Sequence, residues 1–247
     1  ASCRLLQLMG CALSSENSEF DDFAHTSEFQ VTLDELNRLQ LCTEDVRKLY
    51  TVFSFLLAAD DDRSTISLTT LLLRAGIPYT AFAHEIFTIF SAGRLDFRAL
   101  ALSIWNYCTL TIENMHLFVF DLYNTHCRPL TPSEVSNIFK DMYGEVLWRE
   151  NRHTHNVTVE LRQLEVLDAK FTLESFNTFM FTRMVILVPA MQLQRSLQKV
   201  FCGRSFWREQ TQNRKKLYPE HNYVSIAHLL NPDLIGLSSS GDALVSP

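Results

Sequence analysis

Leu130-Thr131-Pro132-Ser133-Glu134-Val135 decides how the chain reads. Thr131 and Glu134 have the spacing of a capping box, in which hydroxyl and carboxylate each satisfy an amide that the first turn of a helix leaves unpaired. Pro132 falls at the first helical position, where its fixed φ suits the helix and its missing N–H costs no bond. Val135, Ile138, Phe139 and Met142 then recur on one helical face until Gly144. Leu130 sits directly before the cap, a large apolar residue where a loop ordinarily carries a polar one. The same dipeptide, apolar and then capping, occurs at Ile66-Ser67, Leu95-Asp96 and Phe171-Thr172, at successive separations of 29, 35 and 41 residues. These separations fit a repeated unit of two helices and a loop. The apolar residues of neighbouring loops are expected to pair as two-residue β-bridges, while the oxygen of the next side chain caps the exiting helix.

Helical periodicity continues on both sides. Val46, Leu49, Tyr50, Phe53 and Leu57 share one face, as do Phe176, Phe179, Met180 and Met184, and Gly76-Ile77-Pro78 marks a helix end. Thr32-Leu33-Asp34-Glu35 reads as a second capping box, which predicts an irregular segment over 1–30 and a helix start at Thr32. An amphipathic stretch restarts at Pro189 and stops at Gly203. With only 7 Gly and 7 Pro, the chain lacks the turn formers of a sandwich or barrel. The fold class is therefore all-α: two pairs of helix–loop–helix units with short β-bridges between paired loops, plus a C-terminal helical extension. The expected divisions are an N-terminal segment (1–30), a first pair (31–110), a second pair (111–188), the extension (189–230) and a mobile tail (231–247).

Composition narrows the function. A net charge of −6 argues against nucleic acid, whose phosphates need a concentrated positive field. The basic run from Arg208 to Lys216 is accordingly read as a solvated face. Six scattered cysteines without a C-x-x-C pair suggest reduced thiols and a cytoplasmic location. The apolar run from Met184 to Met191, interrupted by Pro189, is far short of the roughly 18 residues a membrane span requires. His153 and His155, spaced i, i+2, do not share a helical face and read as a solvent-facing loop rather than zinc ligands. No phosphate-loop, dinucleotide, nucleophile-elbow or zincin motif is present, so an enzyme is not expected.

The run Phe120-Asp121-Leu122-Tyr123-Asn124 through Leu130-Thr131-Pro132-Ser133-Glu134-Val135, followed by Met142-Tyr143-Gly144, resembles the EF-hand superfamily, in particular four-hand proteins of the calcineurin B and neuronal calcium sensor type. Weaker matches are Leu95-Asp96-Phe97-Arg98-Ala99-Leu100 and Phe171-Thr172-Leu173-Glu174-Ser175-Phe176. The resemblance implies paired hands, a groove that receives a partner's amphipathic helix, and calcium in the loops.

Calcium requires six to eight oxygens, normally spread over a 12-residue loop with acidic or amide side chains at positions 1, 3 and 5, Gly at 6 and a bidentate Glu at 12. The first loop offers Ala59, Asp61 and Arg63, with Thr70 at the last seat, and an Arg among ligands repels the ion. The second offers Thr88, Phe90 and Ala92 with Ala99; the fourth offers Leu164, Val166 and Asp168 with Ser175. The third keeps Asp121 and Glu134, but they bound a 14-residue stretch. Asn124 and Thr125 are the remaining oxygen donors there, and Glu134 is already explained by its capping box. No metal or other cofactor is therefore expected. The alternative is a calcium sensor working through Asp121, Asn124, Thr125 and Glu134, and a further alternative is a structural subunit of a larger assembly.

Met9-Gly10-Cys11-Ala12-Leu13-Ser14 matches the N-myristoylation pattern. Translation starting at Met9 would place the acyl chain on Gly10. Because one myristoyl chain binds membranes only marginally, with K of roughly 10⁴ M⁻¹, palmitoylation of Cys11 would be the second anchor. The acidic residues that follow (Glu16, Glu19, Asp21, Asp22) cannot supply a polybasic one. The expected function is a calcium-insensitive adaptor or regulatory subunit that binds a partner's amphipathic helix, tethered to the cytoplasmic face of a membrane by acylation.

Overall fold

The computed structural model describes residues 20, 24–58, 64–91, 93–217 and 223–225. The fold is all-α. The first half runs through α1 (Ser27–Arg38), α2 (Thr43–Leu57), strand β1 (Ile66–Ser67), α3 (Leu68–Ala75), α4 (Ala81–Thr88), strand β2 (Arg94–Leu95) and α5 (Phe97–Cys108). The second comprises α6 (Ile112–Tyr123), α7 (Pro132–Tyr143), the short α8 (Glu145–Glu150), α9 (Arg152–Val166) and α10 (Leu173–Phe181). A 3-10 turn (Met184–Leu187) then leads into α11 (Val188–Val200) and α12 (Arg204–Leu217).

Each apolar-plus-cap dipeptide stands at the foot of a helix. The side-chain oxygens of Ser67, Asp96, Thr131 and Thr172 accept hydrogen bonds from the amides of Thr70, Ala99, Glu134 and Ser175 at 3.1, 2.7, 3.2 and 3.2 Å. These bonds satisfy donors that a helix start otherwise leaves orphaned. The apolar residue before each cap turns inward and pairs across. Ile66 lies opposite Leu95 in an antiparallel two-stranded ladder, and Leu130 and Phe171 exchange both backbone hydrogen bonds at 2.9 and 2.7 Å. All four side chains are buried in the core. At the far end of α3, Gly76 adopts φ +64°, and the Ile77 amide bonds back to the Leu72 carbonyl, the left-handed C-terminal motif that only glycine enters without strain.

α1 begins earlier than the sequence suggests. Thr26, not Thr32, is its N-cap, and Thr32 lies buried in mid-helix. Burial of Phe29 decides this. Its ring stacks on Phe97 at 6.0 Å and meets Tyr50 edge-on, and only a helix started at Thr26 carries it there. Glu35, expected in the cap, instead forms a two-point ion pair with Arg98 of α5 at 2.5 and 2.9 Å. His153 and His155 also sit in a helix rather than a loop: Asn151 caps α9 through the His153 amide, and both imidazoles face water.

α5 is the axis of the molecule. Eleven of its twelve residues are buried, with Arg98 the exception. Helices α2, α4 and α11 pack around it. Its side chains belong to one continuous core that also includes Ala190, Leu197 and Phe201 of the extension and Phe206 and Trp207 of α12.

Candidate functional site

The third loop holds the residues the sequence points to. Asp121 lies within the last turn of α6, and its carboxylate accepts a hydrogen bond from the Tyr223 hydroxyl at 2.8 Å. Asn124 ends that helix and accepts the Arg128 amide through Oδ1 at 3.2 Å, while Thr125 is exposed in the following turn. Glu134 completes the capping box, accepting the Thr131 amide at 2.7 Å. It also carries the Arg128 guanidinium, which reaches both carboxylate oxygens, one of them at 3.1 Å, and donates to the Pro129 carbonyl. The guanidinium and the Thr131 amide hold the Glu134 carboxyl down at about 2. A diffusing cation entering this loop would have to displace a tethered one. Asp121 is turned to Tyr223 and Glu134 to Arg128, whereas calcium needs its oxygens converged on one point.

In the second and fourth loops the described candidate side chains also have other partners. In the second, Thr88 is the last residue of α4, its hydroxyl bonded to the carbonyls of His84 and Glu85. In the fourth, Asp168 is exposed and paired with Lys170 at 2.9 Å, and Ser175 serves the Thr172 cap. Positions 59–63 of the first loop, Ala92 of the second, and Gly10 and Cys11 fall outside the described residues. Among the described residues no group of three or more His, Cys, Asp or Glu converges on a point, and no single helix is long and apolar enough to cross a membrane.

The extension forms a second and larger feature, which the sequence marked only as amphipathic. A helix leaves its last four carbonyls unpaired, and those of α5 are supplied with donors by side chains. The Thr109 hydroxyl serves the Trp105 carbonyl at 2.6 Å and Arg214 serves that of Asn106 at 2.7 Å. Gln194 serves Tyr107 and Leu110 at 2.8 and 2.9 Å, and Gln198 serves Cys108 at 2.8 Å. In return the Tyr107 hydroxyl donates to the Ala190 carbonyl at 2.6 Å. Arg208, Lys215 and Lys216 are exposed, but Arg214 departs from the reading of 208–216 as a solvated face. It is buried, its guanidinium lies 4.9 Å over the Trp105 ring, and its position at the negative end of α5 is electrostatically favourable. α11 contacts α5, α3, α6 and α7, bridging the first half and the second.

The exposed apolar side chains are concentrated outside α11 and α12. Of the twelve exposed large apolar side chains among the described residues, eight fall between Val146 and Val185, including Val166 (87% exposed), Leu167 and Phe181 (81%). His116 of α6 is a different outlier. It is buried, neither ring nitrogen makes a hydrogen bond of good geometry among the described residues, and desolvation lowers its basicity, with Asn177 only partly opposing. No protein-family model, curated protein or solved structure matches the chain.

Proposed function

We propose that the chain is a non-enzymatic adaptor or regulatory subunit of EF-hand-like build, insensitive to calcium, that binds a partner's amphipathic helix through its second half. Two bridged couples of helix–loop–helix units support the EF-hand-like reading. The Arg128–Glu134 pair and the Tyr223–Asp121 bond support calcium insensitivity, since both surviving loop carboxylates already have partners. The observation that carries partner binding is that eight of the twelve exposed large apolar side chains among the described residues fall between residues 146 and 185. A concentration of exposed apolar side chains in one part of a chain points to an interaction surface, and an amphipathic helix is a common occupant of such faces on helical bundles. α11 packs against helices of both halves and so occupies part of the face between them.

The partner reading is tested by replacing Leu167 and Phe181 together with Glu in the tagged full chain and comparing what co-purifies from its own cells. A stoichiometric protein present with the parent chain and absent with the variant supports the reading; an identical set from both overturns it. Titration calorimetry with calcium tests the other half, with no heat expected at micromolar ion. Membrane tethering through Gly10 and Cys11 is part of the same proposal, and an intact-mass measurement of the native protein reads it directly.

A further inference from the structure

Two cavities of nearly equal size flank α7, and their chemistry is opposite. One, of about 640 Å³, lies among α7, α8 and α9 and is lined by three cations (Lys140, Arg149, Arg162) and three anions (Asp141, Glu145, Glu165). The other, of about 620 Å³, opens where the α3–α4 connection, the α7–α8 corner and α11 meet, and no charged side chain lines it. Its walls are apolar: Ile77 and Phe82 from the first half, Met142 and Leu147 from the second, Val188 and Leu193 from the extension. Tyr79, Leu147 and Val185, 61, 59 and 52% exposed, stand at this cavity from three different parts of the chain. Its polar groups are neutral, among them Thr80, Asn151, Gln192 and Ser196.

We infer that this uncharged cavity is a binding site for an uncharged lipophilic small molecule. Its volume falls within the roughly 300–1,000 Å³ of small-molecule sites, which are mostly apolar with a few polar groups that fix orientation. The neutral amides and hydroxyls fill that orienting role. A ligand bearing a carboxylate or ammonium would bring its charge against apolar walls with no counter-ion and pay the full cost of desolvation. Such a charge is better served in the neighbouring cavity, where both signs are present. Because the walls come from all three parts of the chain, an occupant contacts both halves and the extension at once. Binding therefore stabilises their mutual arrangement, as any ligand selective for the folded state does.

The test is a fluorescence titration of the full chain with Nile red, an uncharged lipophilic dye, followed by displacement with 1-decanol and, separately, decanoate. The expected result is saturable binding of one dye per chain, with decanol displacing it at about tenfold lower concentration than decanoate because only the acid must desolvate a charge. Leu147→Asp, which puts a charge at the cavity, and Ser196→Trp, which narrows it, should each weaken the dye by about tenfold or more. Ser133→Trp, in the charged cavity, should leave the titration unchanged. Both test positions are exposed, so the variants are expected to keep the parent's circular dichroism. Absence of saturable binding by the parent chain overturns the inference. So do equal displacement by acid and alcohol, wild-type titrations from both Leu147→Asp and Ser196→Trp, or a loss in Ser133→Trp as large as theirs.

Discussion

α5 and α10 each follow a bridged loop residue and a capped first turn, yet α5 buries eleven of twelve residues and α10 only three of nine. The local device is the same: Asp96 and Thr172 cap their helices through side-chain oxygens, and Leu95 and Phe171 pair inward. What differs is what the chain lays on top. Gln194, Gln198 and Arg214 close the carbonyl end of α5, whereas Arg183 and Glu160, with the guanidinium stacked on Phe179, are what brace the end of α10. A loop motif thus determines where a helix begins, and an appended segment determines whether its outer face meets water or protein.

The comparison breaks most visibly at Trp207. Its indole is fully buried in the core and donates to the Phe201 carbonyl at 2.5 Å. Trp207→Ala should cost about 3–5 kcal/mol, the range for truncating a buried aromatic residue, read as the loss of stability in urea denaturation. Phe181→Ala on the uncovered α10 should stay within about 0.5 kcal/mol of the parent. Similar losses from both would mean that the extension does not single out the first half.

Gln194→Leu sharpens the same contrast at one residue. The side chain keeps its bulk but leaves the Leu110 carbonyl without its glutamine donor in a buried place, while the Tyr107 carbonyl keeps the Leu110 amide at 3.4 Å. An unsatisfied buried acceptor costs about 1–3 kcal/mol, so a loss of that order is expected, with the amides near the end of α5 exchanging faster with deuterium. Unchanged exchange there would show that water replaces the glutamine.

The parts legible in the sequence were those fixed by local chemistry. A Thr or Asp oxygen at a helix start competes only with water, so Asp96, Thr131 and Thr172 could be read without knowing what surrounds them. The sequence pattern places the α1 start too late because Thr32 and Glu35 also satisfy the capping pattern, whereas the stacking of Phe29 on Phe97, 68 residues away in sequence, goes with a start at Thr26. Arg128 is invisible to a motif that counts ligand seats, because its guanidinium, four residues past Asn124, matters only once it folds back onto Glu134. Arg214 looked like part of a charged run, and nothing in its neighbours announces a helix terminus in need of a donor.

The second half carries a pH dependence of its own at His116. His116 is held neutral below its ordinary value of 6.5 by desolvation. The unfolded chain therefore takes up the proton first, and acid favours unfolding. The associated stability is complete above pH 6.5 and is lost as the pH falls below it. Denaturation midpoints at pH 7.5 and 5.5 should differ for the parent chain and differ less for His116→Leu. Equal slopes would show that other groups set the acid response.

The smallest effect on stability, and the most specific, is expected at Arg128. The side chain is solvent-exposed, so its ion pair with Glu134 should scarcely change the melting temperature. Its signature is the titration of Glu134, held at about 2 against an ordinary 4.5 by the guanidinium first and the Thr131 amide second. A carboxyl with a depressed folded value contributes stability that is present above the ordinary value and is lost as the pH falls towards the depressed one. Arg128→Met removes the first cause and leaves the capping box intact. The Glu134 midpoint, followed by carboxyl carbon chemical shift, should therefore rise part of the way and stop short of the ordinary value. A full return would mean that the cap contributes nothing to the carboxylate, and no movement would mean that the arginine does not hold it in solution. An intermediate midpoint separates the two causes, and with the guanidinium removed the same variant exposes the loop's own preference between an empty turn and a bound cation.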